Sequence, residues 1–185
     1  MVKRDFIRNI LLALLVIIIL ILLRIFVFSC YRVKQDTANS YLHKGDLIVL
    51  KRTIEPKYKD FVVYKFHKKT YISRVIATEG EAVTYMDDIF YLNGKVENQA
   101  YINAMKHKYL STAPMGSLYT DDFTIDTLTR GKAQKIPKDY FLVLNDNRLN
   151  RKDSRSFGLI KRSQIKGVAT FRVLPLSNFG FIEVE

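Results

Sequence analysis

The chain has 185 residues, a formal net charge of +12 and a single cysteine. That length sets one domain once a membrane segment is set aside, and a lone cysteine excludes an intramolecular disulfide framework. The basic excess suits nucleic acid, anionic lipid headgroups or wall polymers, but an exported domain meets the last two, so nucleic acid is not expected as a partner.

From Ile10 to Leu23 every residue is apolar, and after Arg24 the run resumes through Phe28. This is close to the ~20 apolar residues that cross a hydrocarbon core. It exceeds the ~7–15 residues of a secretory h-region, and Phe26-Val27-Phe28-Ser29-Cys30-Tyr31 does not resemble a small-x-small cleavage site. We read residues 10–28 as a retained transmembrane helix. Lys3, Arg4 and Arg8 precede it, which predicts a cytoplasmic N-terminus at 1–9 and a domain over 32–185 outside the cell. Arg24, near one end, is placed to snorkel to the interface. Cys30, beside the membrane, is read as passive, with palmitoylation or an intermolecular bridge as alternatives.

Beyond the anchor the apolar segments are short and rich in Val, Ile, Tyr and Phe, as strands are. They predict strands at Leu47–Lys51, Phe61–Phe66, Thr70–Ile76, Ala82–Tyr85, Ile89–Leu92, Tyr140–Leu144 and Gly167–Leu174. Asn93-Gly94 predicts a hairpin tip, because both central residues of a type I′ turn need positive φ. Between Glu97 and Lys135 periodicity fades, and residues 97–135 read as a loop-rich insertion with a short helix around Ala100–Tyr109. The expected class is mainly β.

The segment Leu144-Asn145-Asp146-Asn147-Arg148-Leu149-Asn150-Arg151-Lys152-Asp153-Ser154-Arg155-Ser156-Phe157-Gly158 resembles the type I signal peptidase signature GDNRxxSxDSRxxG. It departs at Asn145, where the family has Gly, and at Arg151, where it has Ser. Lys59-Asp60-Phe61-Val62-Val63-Tyr64 is similar to the family's GDIVVF strand and Tyr71-Ile72-Ser73-Arg74-Val75-Ile76 to its YIKRVI strand. Leu92-Asn93-Gly94-Lys95 and Ile165-Lys166-Gly167-Val168-Ala169 with Pro175 follow in the family's order. The resemblance implies a two-lobed β-barrel-type body beside the membrane and cleavage of exported preproteins without metal or cofactor.

The resemblance also implies a serine nucleophile and a lysine base, since a free hydroxyl attacks poorly without a neighbouring acceptor. Set on Leu42 and Gly45-Asp46, the motif SMxPTLxxGD puts Thr37 at the serine, or Asp36 after a one-residue slip. The lysine position is Ser73, and a serine that supports the lysine is replaced by Arg151, whose charge would oppose protonation of a nearby amine, although no amine remains there to be tuned. None of His43, His67 and His107 aligns with the histidine of the family's eukaryotic branch. Asp146, Asn147, Arg148, Asp153, Ser154 and Arg155 are carried over as a structural network, with Asp153 and Arg155 paired.

From the missing serine–lysine pair we expect no catalytic residue and a pseudoenzyme: a membrane-anchored assembly factor or chaperone for exported polypeptides. Its resemblance to the signal-peptidase-like accessory proteins of Gram-positive pilus gene clusters implies pilin subunits and a sortase as partners at the cell surface. The alternative is an active type I signal peptidase using Thr37 or Ser40 as an atypical nucleophile.

Overall fold

A computed structural model describes residues 2–34 and 41–182. The apolar N-terminal run forms helix α1 (Val2–Phe26), within which Asp5–Arg24 is long and apolar enough to cross a membrane and is nowhere buried against the rest of the chain. The helix stops at Phe26, and Phe28, which hydropathy had placed in the span, opens strand β1 (Phe28–Arg32).

Eleven further strands follow: β2 (Leu47–Lys51), β3 (Phe61–Phe66), β4 (Lys69–Ala77), β5 (Val83–Met86), β6 (Ile89–Leu92), β7 (Lys95–Val96), β8 (Phe123–Thr124), β9 (Tyr140–Leu144), β10 (Ile160–Lys161), β11 (Ile165–Leu174) and β12 (Gly180–Phe181). One antiparallel sheet runs β1-β2-β11-β3-β4-β9-β10, with β12 added to β11, and a smaller one runs β7-β6-β5-β8. Asn93 and Gly94 carry the tip of the β6–β7 hairpin at φ of 52° and 77°. The mainly β fold is therefore the observed one.

The run Phe61–Tyr64 is continuously apolar because β3 is buried on both faces. Phe61 and Val63 pack with Val33, Leu42, Ile48 and Ile72, whereas Val62 and Tyr64 pack with Tyr71, Val75, Phe141 and Val143. Alternate residues of a strand point to opposite faces, so β4 divides in the same way. Tyr71, Ser73 and Val75 share the face of Tyr64, and Ile72 and Arg74 share that of Phe61. Where β11 crosses β2, Gly167 leaves no room for a side chain: a Cβ there would stand 2.9 Å from the Lys51 carbonyl oxygen.

Residues 97–135 are more structured than their weak periodicity predicts. They form a short 3-10 turn (Ala100–Ile102), helix α2 (Asn103–Leu110), β8 and helix α3 (Ile125–Thr129), whose N-terminus is closed by a Thr124–Thr127 capping box. β8 pairs with β5, and Phe123 and Ile125 complete the apolar cluster of the smaller sheet. A two-residue strand has no periodicity to read, so its place in the core is decided by its partner.

Candidate active site

Strand β4 carries Ser73 in a fully enclosed position, 1% exposed. Its Oγ donates to Asn145 Oδ1 at 2.8 Å and lies 3.1 Å from Tyr64 Oη. The orientation of the Asn145 amide is set by its other end, where Nδ2 donates to the carbonyls of Asn150 at 2.9 Å and Lys152 at 3.3 Å. With serine's single proton given to Asn145, the Tyr64 phenol is the donor to Ser73. Burial pushes the Tyr64 phenol well above its ordinary pKa, so it stays neutral. Ser73 thus sits between two neutral partners, with neither a base nor a charge to activate it.

The next residue, Arg74, points to the opposite face. Its Nε and Nη2 grip both oxygens of Asp146 at 2.8 and 2.7 Å, and its guanidinium lies between the rings of Phe61 and Tyr101, 4.2 and 4.0 Å from their centroids. A planar, bidentate cation held between two aromatic faces ties β4 to the end of β9. A second bidentate pair joins Arg155 to Asp153 at 3.0 and 2.8 Å. Asp153 also caps helix α4 (Ser154–Phe157) and accepts from the backbone N–H of Asn145 at 2.9 Å. Ser154 Oγ accepts from the Val143 amide at 3.0 Å, which completes the buried brace behind β9.

Arg148, completely enclosed, bonds to Tyr85 Oη at 2.8 Å and to Gln99 Oε1 at 3.2 Å. Burial raises the pKa of Tyr85 and of Tyr101 as well. The residues of the signature therefore separate: Asp146, Arg148, Asp153 and Ser154 are buried, whereas Asn147 is exposed and its Oδ1 accepts from the Leu149 amide at 3.2 Å.

Arg151, at the position of the family's supporting serine, pairs at the surface. Its guanidinium turns outward to Asp121 at 3.0 Å, with both side chains more than half exposed, and forms a solvated surface pair. The group that meets Ser73 is Asn145, which sequence comparison marks as a departure without assigning it a contact. Tyr64 was legible only as a strand residue; pairing of Val62 with Ser73 is what brings its hydroxyl near. Asp36, Thr37 and Ser40 lie outside the described residues. The flanking Val33 and Leu42 pack with Phe61, Val63 and Ile72. Among the described residues, no group of three or more His, Cys, Asp or Glu side chains is placed to hold a metal ion.

The family profile for signal peptidase, peptidase S26, matches residues 5–174. The chain is 38% identical to a protein named Signal peptidase I from Bacillus caldolyticus, over 86% of each chain. It is 32% identical to Signal peptidase IB of Staphylococcus aureus, over 97% of this chain and 95% of that one. A crystal structure of a signal peptidase I from Enterococcus faecalis superposes with a TM-score of 0.57 at 31% identity, covering 63% of this chain and 98% of that one.

These relatives overturn the expectation of a catalytically inactive assembly factor or chaperone for pilus biogenesis. Similarity at this level over nearly the whole length points to an active signal peptidase, which was the alternative reading. The error has a physical source: side-chain types at two aligned positions describe how a site works, and one of those positions rests on the alignment of a single loop. Matched from within its apolar helix to the end of its longest strand, the chain belongs to the signal peptidase family.

Proposed function

We propose that this chain is a membrane-anchored signal peptidase that acts on exported preproteins with an altered catalytic pair. A hydroxyl from the segment 35–40, Thr37 or Ser40, takes the part of the family's serine, and Ser73 and Asn145 stand where the family has lysine and glycine. The match over residues 5–174 carries this reading, and the two buried ion pairs that brace β4 and β9 support it. A hydroxyl nucleophile must pass its proton to a base as it attacks. Ser73 is not that base, since its oxygen is engaged by Tyr64 and Asn145, so the acceptor lies outside this network and turnover is slower than in serine–lysine relatives. The short N-terminus is cytoplasmic, because Lys3, Arg4 and Arg8 precede the apolar run that begins at Ile10, and the β domain lies outside.

The test is cleavage of a preprotein by the full chain in lipid vesicles, with products identified by mass. Cleavage after a small-x-small sequence, abolished by Thr37→Ala or by Ser40→Ala, is the expected result. Failure of the unaltered chain to cut a preprotein that a serine–lysine relative cuts in the same vesicles overturns the proposal. Cleavage indifferent to both substitutions overturns the choice of nucleophile. Labelling of Cys30 on intact cells by a membrane-impermeant maleimide checks the orientation.

A further inference from the structure

Arg148 differs from the other guanidiniums that brace the wall of the site. Arg74 and Arg155 each present Nε and Nη2 to both oxygens of an aspartate. Arg148 is 1% exposed, yet its guanidinium bonds run to neutral groups: Nη1 to Tyr85 Oη at 2.8 Å and Nη2 to Gln99 Oε1 at 3.2 Å, while Nε has no partner. Asp146 acts on Arg148 through its charge, but both of its carboxylate oxygens are held by Arg74.

Of the five buried side-chain nitrogen and oxygen atoms without a hydrogen-bond partner among the described residues, four belong to this cluster: Arg148 Nε, Gln99 Nε2, Tyr58 Oη and Tyr101 Oη. Burial raises the phenol pKa of Tyr58 and of Tyr101. The Gln99 side chain opposes the rise at Tyr58 and the Arg148 charge opposes it at both, so the four groups lie together. Arg148 Nε and Gln99 Nε2 can only donate, and a hydroxyl rotates to do the same. The group that complements the cluster is therefore an acceptor, and a cation enclosed without a counter-charge favours one that is negative.

We propose that this cluster binds a small monovalent anion of chloride size, held by Arg148 Nε, Gln99 Nε2 and the hydroxyls of Tyr58 and Tyr101. A water molecule meets the donors but leaves the charge of Arg148 uncompensated; an anion does both. Gln99 also lines a groove of about 350 Å³, together with Asp88, Phe90, Glu97, Ile102 and Lys106, and this gives the ion a route from solvent. Of the two acidic groups there, Asp88 faces Lys106 at 3.8 Å and accepts from the Tyr119 and Thr120 amides, and Glu97 is exposed and screened. Tyr85 belongs to β5 of the smaller sheet, and Arg148 follows β9 of the larger one. The bound ion thus ties the two sheets together.

The experiment is urea unfolding of the full chain in an uncharged detergent, with chloride exchanged for methanesulfonate at constant ionic strength. An ion that binds only the native state multiplies the folded-to-unfolded ratio by one plus its concentration over Kd. The ratio is expected to grow about tenfold across the titration, with a limiting log–log slope of about one. Gln99→Glu sets a carboxylate against Arg148, as Asp146 stands against Arg74, and is expected to abolish the chloride dependence. Tyr58→Phe deletes one hydroxyl, keeps the ring that stacks on Phe90, and is expected to weaken chloride binding about fivefold. If Gln99→Glu fails to fold, Tyr58→Phe carries the test. Indifference of the unaltered chain to chloride identifies the acceptor as water and overturns the proposal. A chloride response retained in full by Gln99→Glu or by Tyr58→Phe places the ion elsewhere on this basic chain and also overturns it. Preprotein cleavage is not read in any of these arms, so the result stands apart from the catalytic assignment.

Discussion

Ser73 and Asn145, 72 positions apart in sequence, meet where β4 lies against the end of β9, and the serine hydroxyl donates to the asparagine oxygen at 2.8 Å. These are two of the places where the chain departs from the family motifs. The two fit one another: a short polar side chain on β4, and at the end of β9 an amide that accepts its proton.

Such a fit is measurable. Ser73→Lys alone sets a long amine against Tyr64 and Asn145, with no carboxylate among the partners of Ser73, and is expected to cost about 3 kcal/mol as an uncompensated buried charge. Adding Asn145→Gly opens space for the amine and is expected to recover at least about 1 kcal/mol beyond additivity and to raise preprotein cleavage above that of the single variant. Denaturant melts and cleavage rates check this; additive effects would show that the two sites act separately.

The buried ion pairs hold the wall on which Ser73 sits. Asp146→Ala leaves Arg74 enclosed between Phe61 and Tyr101 without its carboxylate, and Asp153→Ala removes at once the partner of Arg155, the α4 cap and the acceptor of the Asn145 backbone N–H. Each is expected to cost about 3–5 kcal/mol in equilibrium unfolding. A loss below about 1 kcal/mol, the value of an exposed pair, would show that the pair contributes little.

Arg151→Ala provides the contrast. Its bond to Asp121 is more than half exposed, so the expected change is within about 1 kcal/mol and cleavage is unaltered. A clear change in the pH profile of cleavage would place the guanidinium in the site after all.

Alkali should unfold the domain. Tyr64, Tyr85 and Tyr101 have phenol pKa values raised above 10.0 by burial, so above the unfolded value the native state binds more protons than the unfolded state and stability falls as pH rises. The contribution is complete below pH 10 and is lost as pH climbs toward the folded values. Phenolate absorbance from these three is expected to appear together with loss of far-ultraviolet dichroism, after the exposed tyrosines have titrated. Full titration while the fold persists would contradict this.

Much of the architecture was legible because its signals are local. The membrane-length helix, seven of the strands and the Asn93-Gly94 tip each rest on periodicity, β-branched composition or turn stereochemistry within a few residues. Strands β1, β8, β10 and β12 were missed for the same reason. Three of them are two residues long, and β1 continues an apolar run that hydropathy assigns to the span.

By itself the sequence determined the family, through a long polar signature, and it determined which side chains stand at the motif positions. Only tertiary structure decided what those side chains touch. Asn145 turns inward to Ser73 while Arg151 turns outward to Asp121, although six positions separate them. That choice depends on strand pairing and on the Asp153–Arg155 brace, and such non-local contacts are set by packing in three dimensions rather than by the propensities of neighbouring residues.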